Sequence, residues 1–364
     1  MVPSGWKDKA DLGEWKWTPG AWYADASDSG IQTSQDAKFY GLSAKLSEPF
    51  TNKDKDLVIQ FSVKHEQELD CGGAYIKLLG GEVDQSKFGG DTPYLVMFGP
   101  DVCGSSNRKT HVIFNYPPKN DNLLIKEEVR TETDKASHLY TLHVKTDGTF
   151  EVFIDEESAR TGKLEDAFDF LLPKEIKDPA QSKPADWVDE KKIADPEDKK
   201  PSGYDDIPET IPDPDATKPE DWDNEEDGEW EPPLIDNPEY KGPWKARQID
   251  NPAYKGEWVH PMIPNPEYVE DKEIYLRAKD ATHVGFELWQ VKSGTLFDDI
   301  IVTDSLEEAK AFAAETYHKK KGPEKAALEV HAAAEREKSK AADADKKDDD
   351  EESEGAASSG SDEL

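Results

Sequence analysis

The sequence has few cysteines, no long apolar run and too few basic residues to balance its acidic ones. Only two of its 364 residues are cysteines, Cys71 and Cys103. Because neither lies in a Cys-x-x-Cys pair, dithiol redox catalysis is disfavoured, and a metal site of soft ligands would need more of them. No stretch approaches the roughly 20 apolar residues that span a bilayer, so we expect no membrane span.

The charge is strongly one-sided. Eighty acidic residues against 45 basic ones give a formal net charge of −35. Such a field repels nucleic acid phosphates and anionic lipids, so we expect no nucleic acid partner. Carboxylate oxygens suit calcium. The charge therefore indicates calcium binding, unless it only keeps the chain soluble.

Two short proline-bounded phrases recur three times each in the middle of the chain. The first, Ile-x-Asp-Pro followed by Lys-Pro, begins at Ile176, Ile193 and Ile211. The second, Gly-x-Trp followed by Asn-Pro-x-Tyr, begins at Gly228, Gly242 and Gly256. Proline recurs too often for a helix or a central strand. We predict a hairpin arm that turns near residues 223–228, with its Trp and Tyr side chains packing across the two limbs. A disordered acidic linker is the alternative, which the block order of the repeats disfavours.

The segments around the arm are predicted to form one all-β body. Short strand-like runs separated by turn residues occupy residues 1–170 and resume at 272–304, a pattern typical of a β-sandwich. The arm, residues 171–271, is therefore an insertion. Residues 305–340 follow a helical pattern that Ser305 and Glu308 begin as a capping box and that Gly322–Pro323 interrupts. Residues 341–364 form an acidic low-complexity tail.

The two ends of the chain bear on its compartment. The first residues lack the apolar core of a signal peptide, which leaves a cytosolic chain or a processed one. The last four, Ser361–Leu364, are similar to the signal that returns proteins to the endoplasmic reticulum. In that oxidising lumen, two lone cysteines most simply form one structural disulfide, the alternative being two free thiols.

The repeats, the β pattern and the last four residues together resemble the calreticulin/calnexin family of endoplasmic reticulum lectin chaperones. Further phrases that carry the resemblance begin at Cys71 (CGGAYIK), Met97 (MFGPDVC), His111 (HVIFNY) and Leu288 (LWQVKSG). It implies a legume-lectin-like, concanavalin-type sandwich that binds monoglucosylated high-mannose glycans on unfinished glycoproteins, as a monomer. Three copies of each repeat and no membrane helix favour the soluble branch over the membrane-bound one.

The resemblance also implies a carbohydrate site. Its residues are Tyr75, Lys77, Gly90, Tyr94, Met97, Asp101, Ile113, Glu287 and Trp289. The chemistry suits a hexose, because tyrosine hydroxyls and charged groups bind hydroxyls while aromatic faces and methionine cover C–H groups. Tyr75 and Lys77 share one face of a strand. Without the family, each would be a plain surface strand residue. Glu287 stands where the soluble branch more commonly has Asp.

Three further sites follow from the same resemblance. A disulfide joins Cys71 to Cys103 beside the sugar site. A structural calcium is bound by the carboxylate of Asp298 and by backbone carbonyls near Ser27 and Ser29. A disulfide-isomerase-family oxidoreductase docks at the arm tip, through Glu225, Asp227, Glu229 and Trp230.

Two other functions compete with the lectin chaperone. One is a calcium-storage protein whose sandwich is only a scaffold. The other is a sandwich-fold glycoside hydrolase, which needs paired carboxylates at a controlled separation. The nearest match to such a motif is the hydrophilic run Glu225–Glu229, which has no strand-forming neighbours. We therefore expect no enzymatic activity.

Overall fold

A computed structural model describes residues 1–222 and 228–357, with side chains described as far as residue 339. It divides into two compact units, Met1–Leu172 with Glu267–Leu364, and Pro173–Pro266. We call the first the globular unit and the second the hairpin unit.

The described residues form strands and helices in the following order. The strands are β1 (Val2–Pro3), β2 (Trp15–Thr18), β3 (Gly30–Thr33), β4 (Lys38–Phe50), β5 (Leu57–His65), β6 (Cys71–Gly73), β7 (Ile76–Gly80), β8 (Val96–Cys103), β9 (Asn107–Tyr116), β10 (Asp121–Leu124), β11 (Val129–Arg130), β12 (Ser137–Val144), β13 (Thr149–Ile154), β14 (Glu157–Lys163), β15 (Glu175–Lys177), β16 (Lys192–Ala194), β17 (Thr210–Pro212), β18 (Leu234–Asp236), β19 (Gln248–Asp250), β20 (Met262–Pro264), β21 (Ala281–Gln290) and β22 (Thr295–Thr303). The helices are α1 (Leu164–Ala167), α2 (Leu306–Glu315) and α3 (Tyr317–Ala357), with single 3-10 turns at Gln85–Lys87, Pro117–Lys119 and Tyr204–Asp206.

The globular unit is a sandwich of two antiparallel sheets. One follows the order β1-β4-β21-β6-β8-β9-β10, with β7 between β21 and β8 and with β11 on β9. The other follows β14-β13-β12-β5-β22-β3-β2. The apolar residues that alternate along these strands meet between the sheets; Phe61 of β5 lies edge-on to Phe98 of β8, with ring centroids 5.8 Å apart. The predicted sandwich is confirmed.

The C-terminal helices differ from the predicted pattern in two places. The Ser305 hydroxyl caps α2 as predicted, accepting from the Glu308 backbone N–H at 3.2 Å, but the Glu308 carboxylate binds Thr303 instead of closing the box. The predicted interruption at Gly322–Pro323 is absent, since α3 runs through Pro323. The break falls at Thr316, whose ψ of −86° is not helical. Contacts of α3 with the sheet, given below, hold its first turns.

The hairpin unit pairs the repeats in nested order, first with last. Its three two-stranded ladders are β15 with β20, β16 with β19 and β17 with β18. Each ladder centres on an isoleucine pair: Ile176 with Ile263, Ile193 with Ile249, Ile211 with Ile235. Trp187 has a structural role of the predicted kind, since its Nε1 donates to the Gly256 carbonyl at 3.0 Å across the limbs; for the other repeat Trp and Tyr side chains, packing across the limbs stays a prediction. The predicted hairpin is confirmed. Of the turn predicted near residues 223–228, residues 223–227 lie outside the described residues.

Among the described residues, no helix is both long enough and apolar enough to cross a bilayer.

Candidate carbohydrate-binding site

The predicted sugar-binding side chains lie on the outer face of the larger sheet. The ladder places Lys77 of β7 opposite Met97 of β8, and Met97 opposite Ile113 of β9. On its other side, Lys77 lies opposite Gly285 of β21, two positions before Glu287. Because side chains alternate with a period of two, these positions share one face. The intervening residues, such as Ile76 and Phe98, point into the core.

Glycines on this face make room for aromatic rings that lie against the sheet. A β-carbon built at Gly73 would lie 2.3 Å from the ring of Tyr75, and one at Gly41 would lie 3.0 Å from Trp6 Nε1. Since contacts this short cannot form without displacement, any larger residue would push these rings away. The glycines therefore set how closely Tyr75 and Trp6 lie against the sheet.

A lysine–carboxylate pair is central to the site. Lys77 Nζ lies 2.7 Å from Glu287 Oε2, and both side chains are largely buried. The same ammonium lies 5.1 Å from the ring centre of Tyr94. Gly90 borders this group, since a β-carbon built on it would be 3.7 Å from Glu287 Oε1. Cross-strand packing thus holds donor and acceptor side by side with an aromatic face beside them.

A second polar group surrounds Asp101, on β8. Asn107 Nδ2 donates to Asp101 Oδ2 at 2.9 Å, and His111 Nε2 lies 3.1 Å from the same oxygen. Burial would raise the pKa of Asp101, but these hydrogen bonds outweigh it and hold the pKa below its ordinary value. The ring of Tyr75 lies edge-on to His111 at 6.1 Å. Burial first, then Glu287 and Asp101, raise the pKa of Tyr75. At neutral pH the site therefore offers a phenol donor beside an ionised acceptor.

An aromatic patch extends the site beyond the predicted residues. Trp289, which is 38% exposed, lies opposite Phe39 in the ladder, with ring centroids 4.6 Å apart. Trp6 lies edge-on to Phe39 at 5.6 Å, and Lys7 Nζ lies 4.3 Å from the Phe39 ring centre. The sequence reasoning missed Trp6, Lys7 and Phe39. Strand alternation could have put Phe39 on this face, but only the fold brings Trp6 to it.

The disulfide borders the site in the ladder between β6 and β8. Cys71 lies opposite Cys103 and is bonded to it, and Gly73 lies opposite Asp101 in the same ladder. The predicted disulfide is therefore confirmed. It joins β8, which carries Asp101, to β6, which leads to Tyr75.

This arrangement matches what a pyranose presents. A sugar ring has a rim of hydroxyls that both donate and accept, and it has C–H groups that pack on aromatic faces. Tyr75, Tyr94 and Lys77 donate, whereas Asp101 and Glu287 accept. The structure brings eight of the nine predicted residues together, with Trp289 at their edge. Four form a group around the lysine–carboxylate pair (Lys77, Glu287, Tyr94 and Gly90), two belong to the group around the second carboxylate (Asp101 and Tyr75), and two lie in the same ladder row as Lys77 (Met97 and Ile113). Their role in binding stays a prediction.

The predicted calcium residues do not present a ready calcium site. Lys320 Nζ lies 2.5 Å from Asp298 Oδ2 and 3.4 Å from the carboxylate of Asp28, the residue between Ser27 and Ser29. Calcium needs six to eight oxygen ligands. Among the described residues, no group of three or more His, Cys, Asp or Glu side chains is arranged to hold a metal ion. The donors as placed thus fit an ammonium rather than calcium.

The predicted oxidoreductase-docking residues are only partly described. Glu225 and Asp227 lie outside the described residues. Glu229 is exposed and Trp230 is half-buried. The neighbouring Gly228 has φ 80°, and its carbonyl accepts from Trp222 Nε1 at 3.0 Å. Docking here stays a prediction.

Two open grooves of the globular unit lie away from the sugar site. One of about 380 Å³ is lined by residues that include Asp147, Leu171 and Asp271, and another of about 430 Å³ by residues that include Tyr116, Phe170 and Val269. The nearest match to a hydrolase motif, Glu225–Glu229, falls mostly outside the described residues.

Comparison with known proteins relates the chain to one family over most of its length. The family model described as the calreticulin family matches residues 6–227 and 227–302. Calreticulin of Chlamydomonas reinhardtii is 58% identical over 327 residues, which are 89% of this chain and 77% of that protein. Calreticulin of Caenorhabditis elegans is 58% identical over 320 residues, 88% of this chain and 80% of that protein.

A solved structure supports the same relation. The T. cruzi calreticulin globular domain is 33% identical and superposes with a TM-score of 0.65, covering 92% of this chain and 94% of that one.

Proposed function

The chain belongs to the calreticulin family, and on that premise we propose that it binds monoglucosylated high-mannose N-glycans on folding glycoproteins. Calreticulins are calcium-binding lectin chaperones of glycoprotein folding in the endoplasmic reticulum, not enzymes. The observation that carries the proposal is the Lys77–Glu287 pair at 2.7 Å beside Tyr94, on an outer sheet face. We place its activity in the endoplasmic reticulum lumen, where the family acts.

The pair provides a physical basis for selecting glucose. Glucose and mannose differ at C2, where the hydroxyl is equatorial in one and axial in the other. A site that hydrogen-bonds a particular hydroxyl discriminates strongly against a sugar that cannot supply it, because the buried polar groups lose their partners. Lys77 and Glu287 are such groups, since their side chains are only 5% and 13% exposed and their single contact leaves further ammonium donors and carboxylate acceptor sites for a sugar hydroxyl. Glu287 is longer than the Asp common in the soluble branch, which alters its reach and not its charge.

A direct binding measurement tests the proposal. The full chain is titrated with high-mannose oligosaccharides that carry or lack the terminal glucose, in calcium and in chelator. We expect binding of the glucosylated form alone. Lys77→Met and Tyr75→Phe should each weaken it, by about tenfold or more for the charged group. Lys16→Met, which removes an exposed lysine of β2 on the other sheet, is the matched control. Equal binding of both oligosaccharides, or of neither, would refute the proposal.

The hairpin unit is proposed to recruit a disulfide-isomerase-family oxidoreductase. The acidic character around residues 220–231 suits a basic partner, and Trp230 supplies an aromatic side chain within the same acidic stretch of sequence. Glu229→Lys should weaken this association and leave glycan binding unchanged, as measured by titration with the purified oxidoreductase. Unaltered affinity in Glu229→Lys and in Trp230→Ala would argue against docking there.

Calcium storage is the second candidate function, and the formal charge of −35 favours it. Its carboxylates include the acidic run of residues 343–354. The two functions separate experimentally, because Lys77→Met should reduce glycan binding and leave calcium capacity intact. A chain that binds many calcium ions and no glycan would be a storage protein.

A further inference from the structure

The carboxylates of two consecutive aspartates of β22, Asp298 and Asp299, lie close together at the smaller sheet. The register of β22 against β5 shifts between Asp298 and Ile301, and Asp299 has φ 52°. In a regular strand, neighbouring side chains point to opposite faces, whereas an irregularity of this kind turns one of them. The Asp299 carboxylate also accepts from the Ser62 hydroxyl at 2.9 Å, which fixes its direction.

The ammonium of Lys320 lies among three carboxylates. Its Nζ is 2.5 Å from Asp298, 3.0 Å from Asp299 and 3.4 Å from Asp28. The Lys320 side chain is only 8% exposed. The lysine is therefore a buried partner of these carboxylates and not a surface residue.

Helix α3 holds Lys320 in place from both sides. Tyr317, Lys320 and Glu324 follow the three- and four-residue spacing of one helix face. Tyr317 donates to the Ser137 carbonyl at 2.9 Å, and Glu324 Oε1 lies 3.4 Å from the buried Lys64 Nζ. The position of the ammonium is therefore fixed by a helix turn that contacts the sheet on both sides of Lys320.

The space beside this ammonium is too small for a divalent ion together with water ligands of its own. The cavity next to Lys320, lined by Asp28, Asp298 and Glu324 among others, has a volume of about 10 Å³. That is about the space that one water molecule occupies. A divalent ion would also meet the positive charge of Lys320 at close range.

We propose that Lys320 is the built-in counter-cation of Asp28, Asp298 and Asp299, in the position that the family resemblance gives to a structural calcium. The globular unit therefore keeps this part of its fold without calcium. This inference goes beyond glycan binding and does not depend on it.

Thermal unfolding of the full chain, in calcium and in chelator, tests whether the Lys320 ammonium takes the place of calcium. Lys320→Met keeps the side-chain length and removes the charge; its melting temperature in chelator should fall by about 5 °C or more. Calcium should restore much of that loss, because the carboxylates are then available to it. Lys320→Arg keeps the charge and should resemble the unaltered protein. Lys319→Met, at the exposed neighbouring lysine, is the matched control and should change neither value.

The variant Asp298→Asn distinguishes calcium bound at this cluster from calcium bound elsewhere on the acidic chain. We expect calcium to shift the melting temperatures of the unaltered protein and of Asp298→Asn equally, since neither shift arises at this cluster. A calcium-dependent rise that Asp298→Asn abolishes would overturn the proposal, because calcium would then bind with Lys320 present. A Lys320→Met protein as stable as the original in chelator, or one that calcium does not restore, would overturn it too. Should Lys320→Met not fold, the comparison of the other proteins still decides.

Discussion

Phe114 and Ile193 are both apolar strand residues, but they lie in regions that are stabilised in opposite ways. Phe114 of the globular unit is fully buried, with the ring of Phe168 at 5.0 Å. Ile193 of the hairpin unit is only half-buried. The one residue that is buried in the described part of the hairpin unit is a carboxylate, Asp195, which binds Arg247. The globular unit thus depends on shared apolar burial, and the hairpin unit on polar contacts repeated along its length.

Truncating one apolar residue in each region should give the largest contrast. Phe114→Ala should cost about 3–5 kcal/mol of unfolding free energy, because it removes a buried ring and leaves a cavity. Ile193→Ala should cost about 1 kcal/mol, since little apolar area is lost. Chemical denaturation monitored by tryptophan fluorescence would measure the first, and amide exchange at residues 192–194 the second. Equal costs would remove the distinction between the two regions.

The crosslink in the globular unit has no counterpart among the repeats, and its removal should be the next largest effect. Cys71 and Cys103 are 32 residues apart in sequence. In the chain-entropy model, opening a loop of this size lowers stability by about 3–4 kcal/mol. The double variant Cys71→Ser with Cys103→Ser should also bind the glucosylated glycan more weakly, because Asp101 lies only two positions from Cys103 on β8. Full stability and full binding without the crosslink would contradict both expectations.

What the sequence could predict also differs between the two units, because the globular unit depends on shared apolar burial and the hairpin unit on repeated polar contacts. In the globular unit, strand alternation and the family resemblance located the sandwich, the disulfide and a set of residues that the ladders then placed on one face. They could not locate Trp6 in the site, because its side chain does not touch the site until distant segments meet; strand alternation could have located Phe39. Nor could they locate Lys320, whose partner Asp298 lies on a strand irregularity that has no signal in the sequence.

In the hairpin unit, repetition predicted the pairing of the limbs, but attention to tryptophan missed the asparagines. Asn251 Nδ2 donates to the Glu190 carbonyl at 2.9 Å, across to the other limb. Its Oδ1 accepts from the Ala253 backbone N–H at 3.0 Å, within its own turn. Asn237 makes the equivalent bond to the Pro208 carbonyl at 2.8 Å. The Asn-Pro phrase therefore recurs because each copy closes one ladder, which becomes apparent only once the partner limb is known.

A buried polar network around His138 is an exception to this contrast, because it stabilises the globular unit through charge and not through apolar burial. His138 Nδ1 lies 2.9 Å from Asp155, and Nε2 lies 2.7 Å from Asp134. Burial would lower the pKa of His138, but hydrogen bonds to Asp155 and Asp134 outweigh it and raise the pKa. The other groups that face this network are Tyr317 and Lys321, which contact Asp155, and His65, whose pKa is lowered to about 4 by burial and by His138.

His138→Gln should therefore lower stability in a pH-dependent way. A raised folded-state pKa gives stability that is fully present below the unfolded value of about 6.5 and is lost as pH rises through the folded value. The gap between the two proteins should be about 1–3 kcal/mol near pH 6 and smaller near pH 9. Denaturation midpoints at several pH values measure it. His318→Gln, at a 40% exposed side chain, is the matched control. A gap that grows with pH would contradict the assignment.

The smallest effect, and the sharpest test of the comparison, is expected from Asn251→Ala. Losing one partly exposed hydrogen bond between the limbs should cost about 1 kcal/mol, which is about a fivefold loss of exchange protection. The loss should be confined to the ladder of Lys192–Ala194 with Gln248–Asp250, because each ladder has its own isoleucine pair and its own asparagine. The ladder of Glu175–Lys177 with Met262–Pro264 is the internal control. If protection fell equally in all three ladders, the hairpin unit would unfold as one cooperative body, and polar contacts would couple its repeats as tightly as apolar burial couples the strands of the sandwich.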